Sequence, residues 1–329
     1  MKHLSSLAVA LLAPWLVCVA SAQSSTSTVN VDTAVQVGGA ANAAVNKQEF
    51  ALGNAANGGK SSAQAGTVVQ VGGAANAALN QQKLSIGNAN GGKSQTTVGT
   101  AVQVGGAALG ALNNQALEIG NANGTGGQAT VRASTVVQVG GAGYGAANKQ
   151  ALTIGNATGG AKTNVRVDNA VQVGGAGVGA FNQQKLAIGN ATGSGSSSHV
   201  KAGTVVQVGG AGVAAANRQT LEIGNASGGG KSNAIVGTAV QVGGAGVGAA
   251  NDQTIKVGNA DSGGKSNASV AGVVQVGGAG VFAGNTQKVE VGNAANGQMS
   301  NIKTGTIVQV GGGAFGISNN QTVRIGNAQ

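Results

Sequence analysis

Polar and apolar residues alternate along the segment that begins at Asn46. Asn46, Gln48 and Phe50 share one parity, whereas the residues between them, Lys47 and Glu49, are charged. In later copies of this segment the first set is kept and the second varies freely. A constant face opposite a variable face at period two predicts a β-strand with one buried side.

The segment belongs to a unit that occurs nine times in the chain. Its marker, Val-Gln-Val-Gly-Gly, recurs every 33 to 35 residues and begins at Val35, Val69, Val102, Val137, Val171, Val206, Val240, Val274 and Val308. A fixed period in this range is typical of a solenoid or another repeat array. Length changes fall in the Gly/Ser/Lys-rich stretch after each Gly-Asn-Ala, which predicts a connecting turn there.

Each unit is therefore predicted to run as strand, glycine-rich arc, strand and turn. The segment 40–44 also alternates, which allows a third short strand. In the first half of a unit Val165, Val167 and Val171 share one parity, so we expect them to face the same side. The glutamine inside each Val-Gln-Val has the opposite parity, and both a second interior and solvent fit it.

The predicted fold is an all-β solenoid of nine parallel, in-register rungs over 29–329. In-register rungs about 4.7–4.8 Å apart give a stack roughly 40 Å tall. Ahead of it, 1–22 has the basic start, apolar run and small-residue end of a secretory signal peptide. We expect a mature chain that starts at Gln23, with 23–28 as a short leading segment. The only Cys, Pro and Trp lie within 1–22, so the rest has no disulfide to stabilise it.

Four amide positions in each unit are invariant within the chain. A buried primary amide without a partner costs roughly 1–3 kcal/mol, but stacked copies can pair with each other from rung to rung. We therefore predict amide ladders that also guide polymerisation. The ladder residues singled out are Gln36, Asn46, Gln48, Asn54, Gln70, Asn80, Gln82, Asn88, Gln172, Asn182, Gln184, Asn190, Gln309, Asn319, Gln321 and Asn327.

At these residues the chain resembles bacterial secreted functional amyloids. The spacing of Gln36-Val-Gly38, Asn42-Ala-Ala44 and Gln48 is similar to the repeat of the curli major subunit, and Phe181-Asn-Gln-Gln184 is similar to repeats of Fap-type fibres. The resemblance implies a fibre subunit of the extracellular matrix. It also implies export through an outer-membrane secretion apparatus, and a nucleator as a partner.

Catalytic and metal chemistry lack their usual residues outside the predicted signal peptide. One His, no Cys and eight scattered acidic residues remain there, so we expect no enzyme, no metal and no cofactor. The stretch from Gly87 to Ser94 fits the phosphate-loop pattern G-x4-G-K-[ST]. That pattern needs a following helix, which the alternation here does not predict.

Basic residues outnumber acidic ones, and the net charge is +10. Lysines recur in the turns, and stacking would align them in a column at Lys60, Lys93, Lys231 and Lys265. A solvated, solubilising face is the simpler interpretation. The alternative is contact with extracellular DNA or an acidic polysaccharide through counterion release.

The sequence favours a secreted subunit that polymerises end to end into amyloid-like fibres at or near the cell surface, without membrane insertion. No apolar run is long enough to cross a bilayer, and no capping segment is evident at either end of the repeats. The alternatives are a monomeric solenoid adhesin and an ice-binding protein. A threonine column that includes Thr100 suggests the latter, but its parity matches the valines that we expect to be inward, and a flat ice-binding face would show two exposed columns.

Overall fold

The computed structural model describes residues 8–10, 17–23, 26–38, 41–42, 45–73, 75–76, 79–110, 112–145, 147–179, 181–214, 216–248, 250–282, 284–294, 299–316 and 318–326. Every regular element in these residues is a β-strand, numbered β1 to β35 along the chain. No helix that could cross a membrane occurs among them.

Nine strands of twelve residues form one side of the molecule, the front sheet. They are β3 (Thr26–Val37), β6 (Lys60–Val71), β10 (Lys93–Val104), β14 (Gln128–Val139), β18 (Lys162–Val173), β22 (Ser197–Val208), β26 (Lys231–Val242), β30 (Lys265–Val276) and β33 (Met299–Val310). Eight parallel pairings join them in chain order. Equivalent residues lie side by side, so that Gln103 is level with Gln70 on one side and Gln138 on the other.

The opposite side, the back sheet, is built the same way. Its main strands are β5 (Val45–Ala56), β8 (Leu79–Ile86), β12 (Leu112–Ile119), β16 (Ala147–Ile154), β20 (Phe181–Ile188), β24 (Ala216–Ile223), β28 (Ala250–Val257), β32 (Gly284–Val291) and β35 (Ser318–Ile325). After a corner most continue into two-residue strands: β9 (Ala89–Asn90), β13 (Ala122–Asn123), β17 (Ala157–Thr158), β21 (Ala191–Thr192), β25 (Ala226–Ser227) and β29 (Ala260–Asp261).

A third, narrow sheet closes the cross-section between the first two. This side sheet contains β4 (Ala41–Asn42), β7 (Ala75–Asn76), β11 (Ala108–Leu109), β15 (Gly143–Tyr144), β19 (Gly177–Val178), β23 (Gly212–Val213), β27 (Gly246–Val247), β31 (Gly280–Val281) and β34 (Ala314–Phe315). One front, one side and one back strand make one rung. The predicted β-solenoid is confirmed, with nine rungs that give about eight turns.

Two further strands lie before the first rung. β1 (Ala8–Ala10) pairs in parallel with β3, and β2 (Val17–Gln23) pairs in parallel with β5. Both fall mostly within the predicted signal peptide, whose removal stays a prediction.

The expected parity of the front strands is wrong in their second half. In β10 the buried positions are Ser94, Thr96 and Val98, and then Ala101 and Gln103. The step of three residues at Gly99 reverses the parity, so a strand that starts with its odd residues outward ends with them inward. The valines of each Val-Gln-Val therefore face outward, and the glutamine between them faces the interior.

The core lies between the front and back sheets. Leu117 and Ile119 of the back sheet belong to the same buried cluster as Val98 and Ala101 of the front sheet, and all four are 0–1% exposed. In rungs one to seven, the two front positions hold one Val and one Ala, and the order alternates from rung to rung. Because both positions face the same core, a large residue at one offsets a small residue at the other, which keeps the filled volume of each rung constant.

Glycines make the corner at the end of each main back strand. Gly120 has φ +61°, and a Cβ there would lie 2.6 Å from the Cγ2 of Val131. Its counterparts Gly87 and Gly155 have φ +63°. This corner requires glycine both for its backbone conformation and for its contact with the core.

Candidate assembly site: amide columns and outer faces

The glutamines of Val-Gln-Val form an unbroken ladder through the interior. In all eight steps the Nε2 of one residue donates to the Oε1 of its counterpart in the preceding rung, from Gln70 to Gln36 and onward to Gln309, at 2.8–2.9 Å. Gln172 also donates to the backbone oxygen of Lys185 in the back strand of its own rung, at 3.3 Å. The inner members of this ladder are 0% exposed. Gln36 and its equivalents therefore face the interior. The sequence alone had left the direction of these side chains open.

A second ladder runs along the start of the back strands, in the opposite direction. Here the Nδ2 of Asn80 donates to the Oδ1 of Asn113 in the following rung, and the same bond repeats through Asn182 to Asn319 at 2.9–3.0 Å. The side chain of Asn46, the first predicted member, lies outside the described side chains. The two ladders therefore direct their donors toward opposite ends of the stack.

The third predicted ladder is interrupted. Gln82 donates to Gln48 at 3.0 Å, and near the other end Gln321 donates to Gln287 at 2.8 Å. Between them, the buried amides of Gln150 and Gln184 have no hydrogen-bond partner in the described structure. The sequence predicts pairing throughout, and nothing in the described structure explains the gap.

The side chains of the fourth invariant amide, Asn54 and its equivalents, do not form a side-chain ladder. The Oδ1 of Asn54 instead accepts the backbone N–H of Asn88 at 2.8 Å, and the Oδ1 of Asn156 likewise accepts the backbone N–H of Asn190 at 2.9 Å. This bond fixes the corner after each Gly-Asn, where the neighbouring rungs would otherwise leave a donor unmatched. Asn327 lies outside the described residues.

A buried hydroxyl column was missed by the sequence analysis. Ser94 donates to the carbonyl of Gly53 at 2.6 Å, and Ser232 and Ser266 make the same bond to Gly189 and Gly224 at 2.6 Å. Each hydroxyl thereby satisfies a carbonyl of a corner glycine. The signal was present: the residue after the turn lysine is usually Ser, and it has the parity of the core residues.

The paired glycines of Val-Gln-Val-Gly-Gly are required because neighbouring rungs approach each other closely there, and not because the backbone is left-handed. A Cβ on Gly106 would lie 1.9 Å from the backbone oxygen of Gly73 and 2.8 Å from the Nδ2 of Asn80. A Cβ on Gly105 would lie 2.4 Å from the backbone nitrogen of Gly141. Glycine is thus needed at these positions for the arcs to stack in register.

The predicted basic residues stand on the outer side of the front sheet, at the starts of its strands. Lys60 is in register with Lys93, and Lys231 with Lys265, and all four are exposed. Four of the nine equivalent positions are not lysine: they hold Thr26, Gln128, Ser197 and Met299.

A second basic column runs beside the lysines, and the sequence analysis overlooked it. Arg132, Arg166 and Lys201 occupy equivalent positions in three successive rungs and are exposed. Arg166 has an acidic neighbour, Asp168, with 3.5 Å between Nε and Oδ1. These residues, Lys162 and the four exposed lysines Lys60, Lys93, Lys231 and Lys265 make a basic band along the first halves of the front strands.

Replacing Lys231 and Lys265 by Ala should weaken binding of a double-stranded DNA fragment if the band contacts phosphate. Two lost contacts should lower the slope of log affinity against log salt by about 1.8. The matched control is Lys83→Ala with Lys185→Ala on the back sheet, where both lysines form ion pairs with Glu118 and Glu222 at 3.6 and 3.1 Å. Fluorescence anisotropy from low to high salt measures the slope, and equal losses in both variants would contradict a localised site.

The threonine column lies outside, contrary to the expectation from parity. Thr33 and Thr204 are exposed and Thr100 is half-buried, because the parity reversal that turns Gln103 inward turns these residues outward. The next two outward columns are valine and not threonine, so the second threonine column expected of a flat ice-binding face is not among them.

The last rung exposes a layer of the core. Val289 and Val291 in rung eight are 0% exposed, whereas Val323 and Ile325, which occupy the same positions in rung nine, are 44% and 56% exposed. Within the described residues, β33, β34 and β35 each pair on one side only. In the part of rung nine that the structure describes, one edge of each strand therefore has no strand partner and lies beside apolar side chains.

The phosphate-loop match does not form a phosphate site. Residues Lys93–Val104 are strand β10 and not a helix, and the hydroxyl of Ser94 is turned inward to Gly53. Across the described part of the chain, no cluster of three or more His, Cys, Asp or Glu side chains could hold a metal ion. The polar groups of the interior form hydrogen bonds mainly with one another.

The chain matches no protein-family model, and no curated protein or solved structure shows significant similarity to it.

Proposed function

We propose that this protein is a secreted structural subunit that assembles end to end into amyloid-like extracellular fibres, which serve in matrix formation and adhesion. The observation that carries the proposal is the face of rung nine. Side chains that are fully buried one rung earlier are about half exposed there, beside three edge strands with one open side. A rung from a second copy would cover these side chains and pair those strands.

The geometry of the repeat supports the fit of a second copy. Every rung carries the same amides and core positions in the same register. A rung of a second copy would therefore meet the same kind of surface that a rung meets within one chain. Full burial of a side chain such as Val or Ile contributes about 1.5–3 kcal/mol. Natural edge strands are normally protected by charge, proline or a bulge, and strand β35 carries one charged residue, Arg324.

The other end fits the same proposal if the predicted signal peptide is removed. β1 and β2 pair with β3 and β5, and cleavage before Gln23 would take away β1 and nearly all of β2. β3 and β5 would then become the edge strands of the mature chain. The junction of a fibre would bring β33 of one copy against β3 of the next.

The remaining parts of the proposal follow from the resemblance to secreted fibre subunits. They are export through an outer-membrane apparatus, a nucleator at the cell surface, and a location outside the cell. The role is mechanical, and no catalytic group, metal or cofactor is assigned. DNA or acidic polysaccharide is a secondary ligand of the basic band.

Fibre diffraction and size-exclusion chromatography on residues 23–329 test the proposal. After days in dilute buffer, we expect the monomer peak to disappear and a meridional reflection to appear at about 4.7–4.8 Å. A stable monomer with β circular dichroism would overturn the fibre and favour the monomeric alternatives. In that case surface adhesion and ice growth would be assayed next, since the threonine column faces outward.

A further inference from the structure

Two columns of valine run the length of the front sheet on its outer side. Each rung contributes the two valines of its marker, and all eighteen such positions hold valine. In the first rung Val35 and Val37 are 37% and 47% exposed, and in the last rung Val308 and Val310 are 38% and 47% exposed, whereas the marker valines of the seven rungs between them are half-buried. The outward threonine column lies directly beside them.

These three columns, here called the valine face, carry no charged residue. The exceptions to threonine in its column are Asn169 and Gly272, and both are neutral. The outer side of the back sheet differs, because it carries ion pairs such as Arg218–Asp252 at 3.5 Å. A continuous exposed apolar patch on a soluble surface usually marks an interaction site.

We propose that the valine face binds the valine face of a second copy, so that fibres pair side by side. The in-register stack places identical branched side chains about 4.8 Å apart, which is the arrangement that interdigitates in dry interfaces between paired sheets. Because every rung is alike here, two such faces match at any offset of a whole rung. An irregular globular surface has no such repeat to offer.

The area of the face indicates when pairing occurs. Nine rungs of about 4.8 Å and three columns of about 6.6 Å give a flat strip of roughly 860 Å² per subunit. A stable protein–protein interface needs about 800 Å² per partner. A single subunit thus only just reaches this size, whereas an end-to-end polymer extends the face without limit. The inference therefore rests on the proposed function, and pairing should follow polymerisation.

The experiment compares two triple variants that add the same charge. Val102→Lys, Val171→Lys and Val274→Lys place ammonium groups on the valine face, in rungs that are not neighbours. Asn114→Lys, Gln183→Lys and Thr286→Lys place them on the outer side of the back sheet in the same rungs. Mass per unit length, measured by scanning transmission electron microscopy, counts the chains in each fibre cross-section.

Wild-type and control fibres should contain two chains per nine-rung length, and fibres of the valine-face variant one. Val102→Thr, Val171→Thr and Val274→Thr keep the side-chain shape and should also shift fibres toward one chain, which covers the case in which the lysine variant does not fold. Wild-type fibres with one chain, or lysine-variant fibres with two, would overturn lateral pairing and leave polymerisation intact. Absence of wild-type fibres would overturn both proposals.

Discussion

Gln172→Leu should lower the free energy of unfolding by roughly 2–4 kcal/mol, whereas Gln184→Leu in the same rung should be neutral or slightly stabilising. Gln172 is 0% exposed, donates to Gln138 and accepts from Gln207, both at 2.8 Å. Leucine at 172 leaves the oxygen of Gln138 without this donor, which costs about 1–3 kcal/mol, and leaves the nitrogen of Gln207 with only its longer bond to the backbone oxygen of Thr220 at 3.4 Å. Gln184 is 1% exposed, and neither of its side-chain amide atoms has a partner to lose.

The comparison is sharp because both substitutions are the same and both sites are buried. Urea denaturation followed by circular dichroism, on freshly refolded monomer, would give the shift in midpoint. Gln309→Leu is a third variant, at the end of the same ladder with one neighbour at 2.8 Å, and should cost about half as much. Equal losses for Gln172→Leu and Gln184→Leu would contradict the assignment of the paired and interrupted columns.

Val323→Lys should prevent end-to-end growth while it leaves the monomer folded. At 44% exposure the lysine ammonium can reach water at the end of the stack. A further rung would cover it, as rung nine covers Val289, and would bury a charge without a partner. That penalty amounts to several kcal/mol per ion, so the critical concentration for assembly should rise at least a hundredfold.

Asn320→Lys is the matched control for this variant. It adds the same charge to the same strand, but its side chain points outward and is exposed. Thioflavin fluorescence and pelleting, over a range of protein concentrations, would give the critical concentration of each chain. If Val323→Lys assembles like the wild type, the face of rung nine is not the growing surface.

The repeat made the rungs, their register and the back-sheet face predictable, since each unit restates the same polar and apolar order. The side-chain directions in the front sheet were harder to predict, because the period of two is broken at Gly99. Beyond this residue the opposite parity faces the interior. A signal for the step was present in the exchange of Val98 and Ala101 with Ala133 and Val136 in the next rung. Two positions three residues apart that compensate in volume must share one interior.

The interrupted column shows a different kind of limit. Gln150 and Gln184 stand among glutamines that pair, and no residue in their own segments distinguishes them. A period-two pattern therefore contains no signal for their lack of a partner. The outward valines were likewise unpredictable from propensity, because valine suits the inner and outer sides of a strand equally well.

The opposite donor directions of the two unbroken ladders give any polymer of this chain a polarity. In one ladder Gln309 donates backward, so its oxygen faces the next subunit, while the Asn285–Asn319 bond shows the asparagine donors pointing forward. Two subunits related by a two-fold axis would meet oxygen to oxygen and donor to donor. Only copies that all point the same way satisfy both columns at every junction, so a growing fibre would keep distinct leading and trailing tips.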